Sequence, residues 1–420
     1  MFSLSTYSYK IKHRALAAAR LDPRMSEYQF QVSAPESKVV PVTLRGRSRD
    51  RVVSKQRPRV LMVGMHLTKT RGGITTLTTD ILDSTLNQDY EFIYIASQAE
   101  DFGKFSKILL ASRAVCKFVW TCLFRSPRLI YVHIGSNASL YRESAFIILG
   151  RIMRRPVISH FHAGDIDNYF PRQPAIGKKF ILFAIGLSHS VIAVSRESAR
   201  QLGHLDNKLR ISIIPNAIDL AGFQNNKRVP YKSGKNDPVR LLFVGAVGKL
   251  KGENDLIRAL AILRDQGSNV RASFLGYGAE SLADNCAKYG VMELIEHLGP
   301  VAMRERIAFY ERADIFVLPT HAEAMPISVI EAMAAGLPII STAVGGIPEI
   351  LDHGEEGLLF PAGNVKALAE TIAVLVKNKQ MRLKMGRNAR KRARKQMNFS
   401  MYIERLRGEF IRLIETDSNI

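Results

Sequence analysis

Cysteine and tryptophan are scarce in this chain: 420 residues contain three of the first and one of the second. Cys116, Cys122 and Cys286 show no spacing that suggests bridges or a zinc knuckle, which excludes a disulfide scaffold and points to a reducing compartment. Long apolar runs are missing as well. None reaches 18 residues, so no bilayer-spanning helix is expected. Residues 1–56 have no continuous apolar core and carry charges throughout, so no secretory leader is expected either. The cytoplasm is the expected location, with the inner face of the cytoplasmic membrane as the place of any attachment.

Acidic residues are also few, 38 against 60 Lys+Arg, for a formal net charge of +22. The excess is uneven. Residues 1–57 hold 12 Lys+Arg and 4 Asp+Glu with little periodicity, which predicts a flexible basic arm, with Met25 as an alternative start. Residues 58–230 hold 22 and 12, and the remainder 26 and 22. In Ser106–Arg125, Arg113, Lys117 and Arg125 recur at multiples of four beside Trp120 and Phe124. Solvated helix faces and helices lying on an anionic membrane share that pattern, so peripheral membrane contact is one of two open readings. The run Lys384–Gln396 is basic without any recognition module, which predicts a solvated face and no specific nucleic-acid partner.

What the chain has in quantity is alternation. Short apolar, β-branched runs alternate with amphipathic stretches, the pattern of parallel sheets covered by helices on both faces. The length suffices for two such domains, and the polar segment 224–240 separates them. Ligands of these sheets bind beyond the carboxyl ends of the strands.

Three constellations fall at such ends. In Pro319–Ile347, a loop carries Glu323, and apolar residues recur at helical spacing from Ile327, which puts Glu331 on a helix. Pro326 suits the first turn, and the amides of Ile327, Ser328 and Val329 are expected to point outward at the positive end of the helix dipole, a site for a diphosphate. Glu331 can then accept from a ribose diol, while Glu323 reaches the group beyond the phosphates. In Leu241–Leu263, a buried strand ends in Gly245, Gly248 and Lys251-Gly252, and a helix opens at Asp255. The glycines admit a ligand to the backbone, and Lys251 offers a mobile charge to phosphate oxygens. In the first half, Arg59–Met65 reads as a strand before Arg71-Gly72-Gly73, and Val157–Asp165 as a strand reaching His162. His160, two residues earlier, is read as facing away from it. Asp165-Ile166-Asp167 resembles a metal motif but falls far from the phosphate turns, and no metal is assigned.

The spacing Glu323-x7-Glu331 followed by AMAAGLPIIS resembles the retaining glycosyltransferases of family four. The resemblance implies the GT-B arrangement, two Rossmann-like α/β domains facing across a cleft. Its parts would be a basic arm (1–57), an acceptor domain (58–225), a nucleotide-sugar domain (226–400) and a C-terminal helix (401–420) crossing back to the first. It implies retaining transfer of a hexosyl group from a UDP- or GDP-sugar to a growing polysaccharide or lipid-linked oligosaccharide, with no cofactor and no metal. His162 and Glu323 would be catalytic; Gly73, Gly245, Lys251, Met325, Pro326, Ile327, Ser328 and Glu331 would bind the donor. Where the family pattern has arginine after the first glycine of the Lys-Gly turn, this chain has Ala246, with Lys249 as a substitute, and Ala324-Met325-Pro326 replaces the commoner Gly-Phe-Gly. Two alternatives remain open: a non-hydrolysing nucleotide-sugar epimerase on the same fold, and a catalytically silent membrane- or nucleic-acid-binding protein.

Overall fold

The computed structural model describes residues 57–416 apart from Arg71, 100–102, Asn137, 225–236, Val247, Lys249, Tyr277 and Ala302. The basic arm, the linking segment and the Lys249 substitute therefore lie outside the described residues.

Twelve strands form two parallel sheets of six. The first contains β1 (Arg59–Met65), β2 (Glu91–Gln98), β3 (Leu129–Ile134), β4 (Val157–Phe161), β5 (Ser190–Ala193) and β6 (Ile211–Ile213), in the order β2-β1-β3-β4-β5-β6. The second contains β7 (Val239–Val244), β8 (Val270–Leu275), β9 (Ile295–Gly299), β10 (Ile315–Leu318), β11 (Ile339–Thr342) and β12 (Gly357–Phe360), in the order β12-β11-β10-β7-β8-β9. Every residue of β3, β4, β10 and β11 is buried, which is why these strands read as continuous apolar runs instead of alternating ones.

The described helices of nine residues or more are α1 (Gly73–Leu82), α2 (Lys104–Phe124), α3 (Ala138–Ile152), α4 (Ala175–Gly186), α5 (Arg196–Leu205), α6 (Glu253–Asp265), α7 (Ala279–Lys288), α8 (Met303–Arg312), α9 (Ile327–Ala335), α10 (Val365–Lys377), α11 (Lys379–Gln396) and α12 (Phe399–Thr416). Helix α6 opens at Glu253, two residues before the expected Asp255, because Gly252 adopts a left-handed φ of 73° and serves as its N-cap. A β-carbon there would lie 1.8 Å from the carbonyl oxygen of Pro319, so only glycine lets this turn press against β10's end.

Strand order reverses between β1 and β3 in one sheet and between β7 and β10 in the other. At a reversal the connections diverge to opposite faces and leave a crevice at the strands' carboxyl ends. The loops after β1, β7 and β10 are the ones that carry Gly73, Lys251 and Glu323. The last helix, α12, returns to the first sheet: Phe410 packs edge-on against Tyr90 and Tyr131, and Glu409 accepts hydrogen bonds from Ser190 (2.9 Å) and Ser212 (2.6 Å).

Candidate functional site

The loops after β7 and β10 are stitched together before any side chain is considered. The His321 amide and the Thr320 hydroxyl both donate to the Leu250 carbonyl, at 2.7 and 2.8 Å. That fixes Lys251 opposite Glu323, and the Lys251 ammonium donates to the Glu323 carboxylate in an ion pair with Glu323 buried. The bond is charge-assisted, with the Lys251 side chain 34% exposed.

Helix α9 begins one turn further on. Pro326 is its N-cap, with extended backbone (φ −73°, ψ 119°), one position before the expected first turn. The Val329 amide donates to the Pro326 carbonyl at 3.2 Å, so the expectation of three outward amides is corrected to Ile327 and Ser328. Glu331 is 1% exposed, and its two oxygens accept from Arg306 Nη2 (2.7 Å) and from the Tyr310 hydroxyl (2.6 Å). Burial pushes its carboxyl above the ordinary range, against the pull of Arg306. Nothing in the sequence pointed to Arg306. It stands four residues before Tyr310, one turn apart on α8.

The facing wall comes from the first domain. A β-carbon on Gly73 would touch Ile327 at 3.3 Å, and one on Gly164 would sit 2.2 Å from the Glu323 backbone, so the two walls meet at glycines. Asn216 donates from Nδ2 to the Met325 carbonyl at 2.9 Å across the same junction. Helix α1 starts at Gly73, which brings a second helix N-terminus to the cleft.

His162 follows β4, and burial lowers its imidazole from 6.5 to about 3, so the ring is neutral across the physiological range. Its Nε2 shares a hydrogen bond of 3.0 Å with His133 Nδ1. The expectation that His160 faces away is wrong: its ring centroid lies 4.2 Å from that of His162, because residues two apart on a strand share a face. His160 in turn meets the Tyr131 hydroxyl at 2.6 Å. Burial holds His133 and His160 well below their usual range too. These three are the group among the described residues whose donor atoms approach closely enough for a metal, all within 4.8 Å of one another. The hydrogen bond already engages one nitrogen each of His133 and His162, and no carboxylate or thiolate joins the set. Asp167 of the Asp-x-Asp run is instead paired with Arg200 at 3.0 Å.

Gly73, His162, Gly245, Lys251, Glu323, Met325, Pro326, Ile327, Ser328 and Glu331 all line one cavity of about 350 Å³. Ala246 lines it as well, and Lys251 and Arg306 are the cations among the described lining residues.

Comparison with known proteins bears on the same two halves. Residues 225–392 match the model of glycosyl transferases group 1, and residues 71–221 that of glycosyltransferase family 4. The chain is 30% identical over 233 residues to D-inositol 3-phosphate glycosyltransferase of Pseudarthrobacter chlorophenolicus, covering 53% of this chain and 55% of the relative. It thus spans about half the length of that relative. It is 26% identical over 343 residues to the capsular polysaccharide biosynthesis glycosyltransferase CapM of Staphylococcus aureus, covering 77% of this chain and 85% of that one. Among solved structures, Anabaena HepE in complex with UDP-glucose superposes with a TM-score of 0.66 at 20% identity, over 86% of this chain and all of that one, a likeness of fold. With two matched halves, two parallel sheets and one cavity between them, the chain belongs to glycosyltransferase family 4 and has the GT-B fold.

Proposed function

We propose that this protein transfers a glycosyl group from a nucleoside-diphosphate sugar to a hydroxyl of a saccharide or lipid-linked saccharide, with retention at the anomeric carbon. One observation carries the reading. Two helix N-termini, at Gly73 and Ile327, converge on a cavity that also holds the Lys251–Glu323 pair and the buried Glu331. Helix N-termini and a lysine suit a diphosphate, and an acidic pair suits the hydroxyl-rich groups on either side of it. HepE, which has the same fold, was solved with UDP-glucose.

In this reading the diphosphate lies against the Ile327 and Ser328 amides and the Lys251 ammonium, with Gly245 and Gly73 allowing the backbone close. Met325 and Pro326 shape the turn beneath it. Glu331, held by Arg306 and Tyr310, presents its remaining lone pairs to the ribose. The bond from the anomeric carbon to the diphosphate oxygen breaks, the acceptor oxygen bonds to that carbon from the same face, and the acceptor's proton passes to the departing phosphate. The developing negative charge falls on fixed donors, which act as preorganised electrostatics, and the reading calls for no divalent ion. Glu323 and neutral His162 hold the sugar hydroxyls on opposite sides.

The test is turnover of Glu323→Gln with saturating donor, after a panel of UDP- and GDP-sugars has been screened for thermal stabilisation of the wild type. We expect a loss on the order of 10²-fold or more in turnover with donor stabilisation retained. Unchanged turnover would refute the role of Glu323, and no stabilisation by any nucleotide sugar would refute the donor class.

A further inference from the structure

Helices α2, α3 and α4 lie side by side on the same face of the first sheet, with Phe118, Phe146 and Ile181 in one core cluster beneath them. Their inward sides are ordinary. Their outward sides are not. On α4, Ile176, Phe180 and Phe183 are 80%, 36% and 60% exposed, at intervals of four and three residues. That spacing makes a single outward stripe, with Lys179 beside it. On α2, Phe105, Ile108, Trp120, Leu123 and Phe124 are 53–80% exposed. By helical geometry they share the side opposite the buried Ala114, Phe118 and Cys122. Ile152, at the end of α3, adds a further exposed apolar side chain at 68%.

A solvated face would carry carboxylates among its charges, and this one has almost none. From residue 103 to 196 the sequence holds 14 Lys+Arg and three acidic residues, Glu143, Asp165 and Asp167. Glu143 is buried, and Asp167 is engaged by Arg200. Large apolar side chains flanked mainly by cations, with Glu91 meeting Arg125 at 3.0 Å at the end of α2, match a bilayer interface that carries negative lipid. They do not match a second copy of the chain, because a symmetric contact would set like charges against each other.

We infer that the outward faces of α2 and α4 dock on an anionic lipid surface, with Ile176, Phe180, Phe183, Trp120 and Phe124 entering the interface and Arg113, Lys179 and their neighbours meeting the headgroups. The inference is independent of donor chemistry. It takes the membrane reading of the α2 stripe, of whose cations Lys117 donates to the Tyr94 carbonyl and Arg125 pairs with Glu91, and it adds α4, which the sequence pattern had not flagged. It sets the acceptor half of the cleft beside the bilayer.

Trp120 is the chain's one tryptophan, so it reports on this face alone. The full chain is mixed with phosphatidylcholine vesicles with and without phosphatidylglycerol, and binding is followed by flotation and by tryptophan emission. We expect flotation with the anionic vesicles, weakening as salt rises, and a blue shift of the emission. Ile176→Ser/Phe183→Ser, whose side chains are 80% and 60% exposed, should remain folded, and its partitioning should fall by roughly tenfold for each side chain withdrawn. Flotation without a blue shift, or with full retention in the double variant, would overturn the inference by assigning binding to another region such as residues 1–57. A blue shift without lipid, accompanied by a dimer in sedimentation, would overturn it in favour of a second copy. No flotation at all would overturn it outright.

Discussion

The two walls of the cleft solve opposite electrostatic problems. The wall built by the second sheet is charged, and its charges are answered: Lys251 by Glu323, and Glu331 by Arg306 and Tyr310. Among the described residues lining the cavity, those of the first domain are polar or apolar and none is a carboxylate, lysine or arginine. His162, His133 and His160 continue into Tyr131, and burial keeps all three imidazoles neutral. The Nε2 atoms of His133 and His160 are buried without partners. The difference shows how one cavity can hold an anion on one side and tolerate developing positive charge on the other. Paired charges anchor a diphosphate, and uncharged donors approach a sugar without repelling its anomeric carbon.

The largest effect that could break this contrast is acid. A histidine whose folded value lies below its unfolded 6.5 binds its proton more readily when unfolded. Its neutral, buried state is therefore fully stabilising above that value and loses ground as pH falls. With three such residues, stability should drop below about pH 6 with a slope approaching 4 kcal/mol per pH unit. Urea midpoints at several pH values measure it. His133→Gln/His160→Gln should flatten the slope by about two thirds, and an unchanged slope would mean that the trio does not remain neutral.

The charged wall predicts a different failure. Glu331→Ala removes the buried carboxylate to which Arg306 and the Tyr310 hydroxyl donate, and should cost about 3–5 kcal/mol in urea unfolding at neutral pH. Glu331→Leu combined with Arg306→Met should recover most of that, because an apolar pair of similar volume removes the uncompensated charge. The double variant should still lose donor-induced thermal stabilisation. That outcome separates the pair's contribution to folding from its contribution to the site.

The same contrast explains what could be read from sequence. The charged wall is local: Glu323, Pro326, Ile327 and Glu331 lie within nine consecutive residues, and the helix start that organises them is written in their order. The alternation of apolar runs likewise revealed two parallel sheets, because buried parallel strands leave no other pattern. Arg306 and Tyr310 were invisible, since their meeting with Glu331 depends on α8 packing against α9, which no spacing encodes. The imidazole column was hidden by register. His133 and His160 are paired neighbours on β3 and β4, and only strand alignment joins them. Asn216 and Gly164 carried no signal because their partners, the Met325 carbonyl and the Glu323 backbone, belong to the other domain.

The smallest effect tests whether the walls feel each other at a distance. Asp80, near the end of α1, is raised from 3.8 to about 6, chiefly by burial and then by Asp219, Asp83 and Glu331, the last of these from the opposite wall. A carboxyl whose folded value is raised prefers to be protonated in the folded chain. The stability this gives is present below about pH 4 and is lost as pH climbs through 6. At neutral pH the ionised Asp80 is therefore a liability, and Asp80→Asn should stabilise by about 1–2 kcal/mol once solvent screening is allowed for. The gain should vanish near pH 4, where aspartate is itself neutral. If the repulsion crosses the cleft, Glu331→Gln should shrink the benefit of Asp80→Asn in a double-mutant cycle. A benefit of the same size in both backgrounds would confine the effect to the first domain and leave the two walls electrostatically independent.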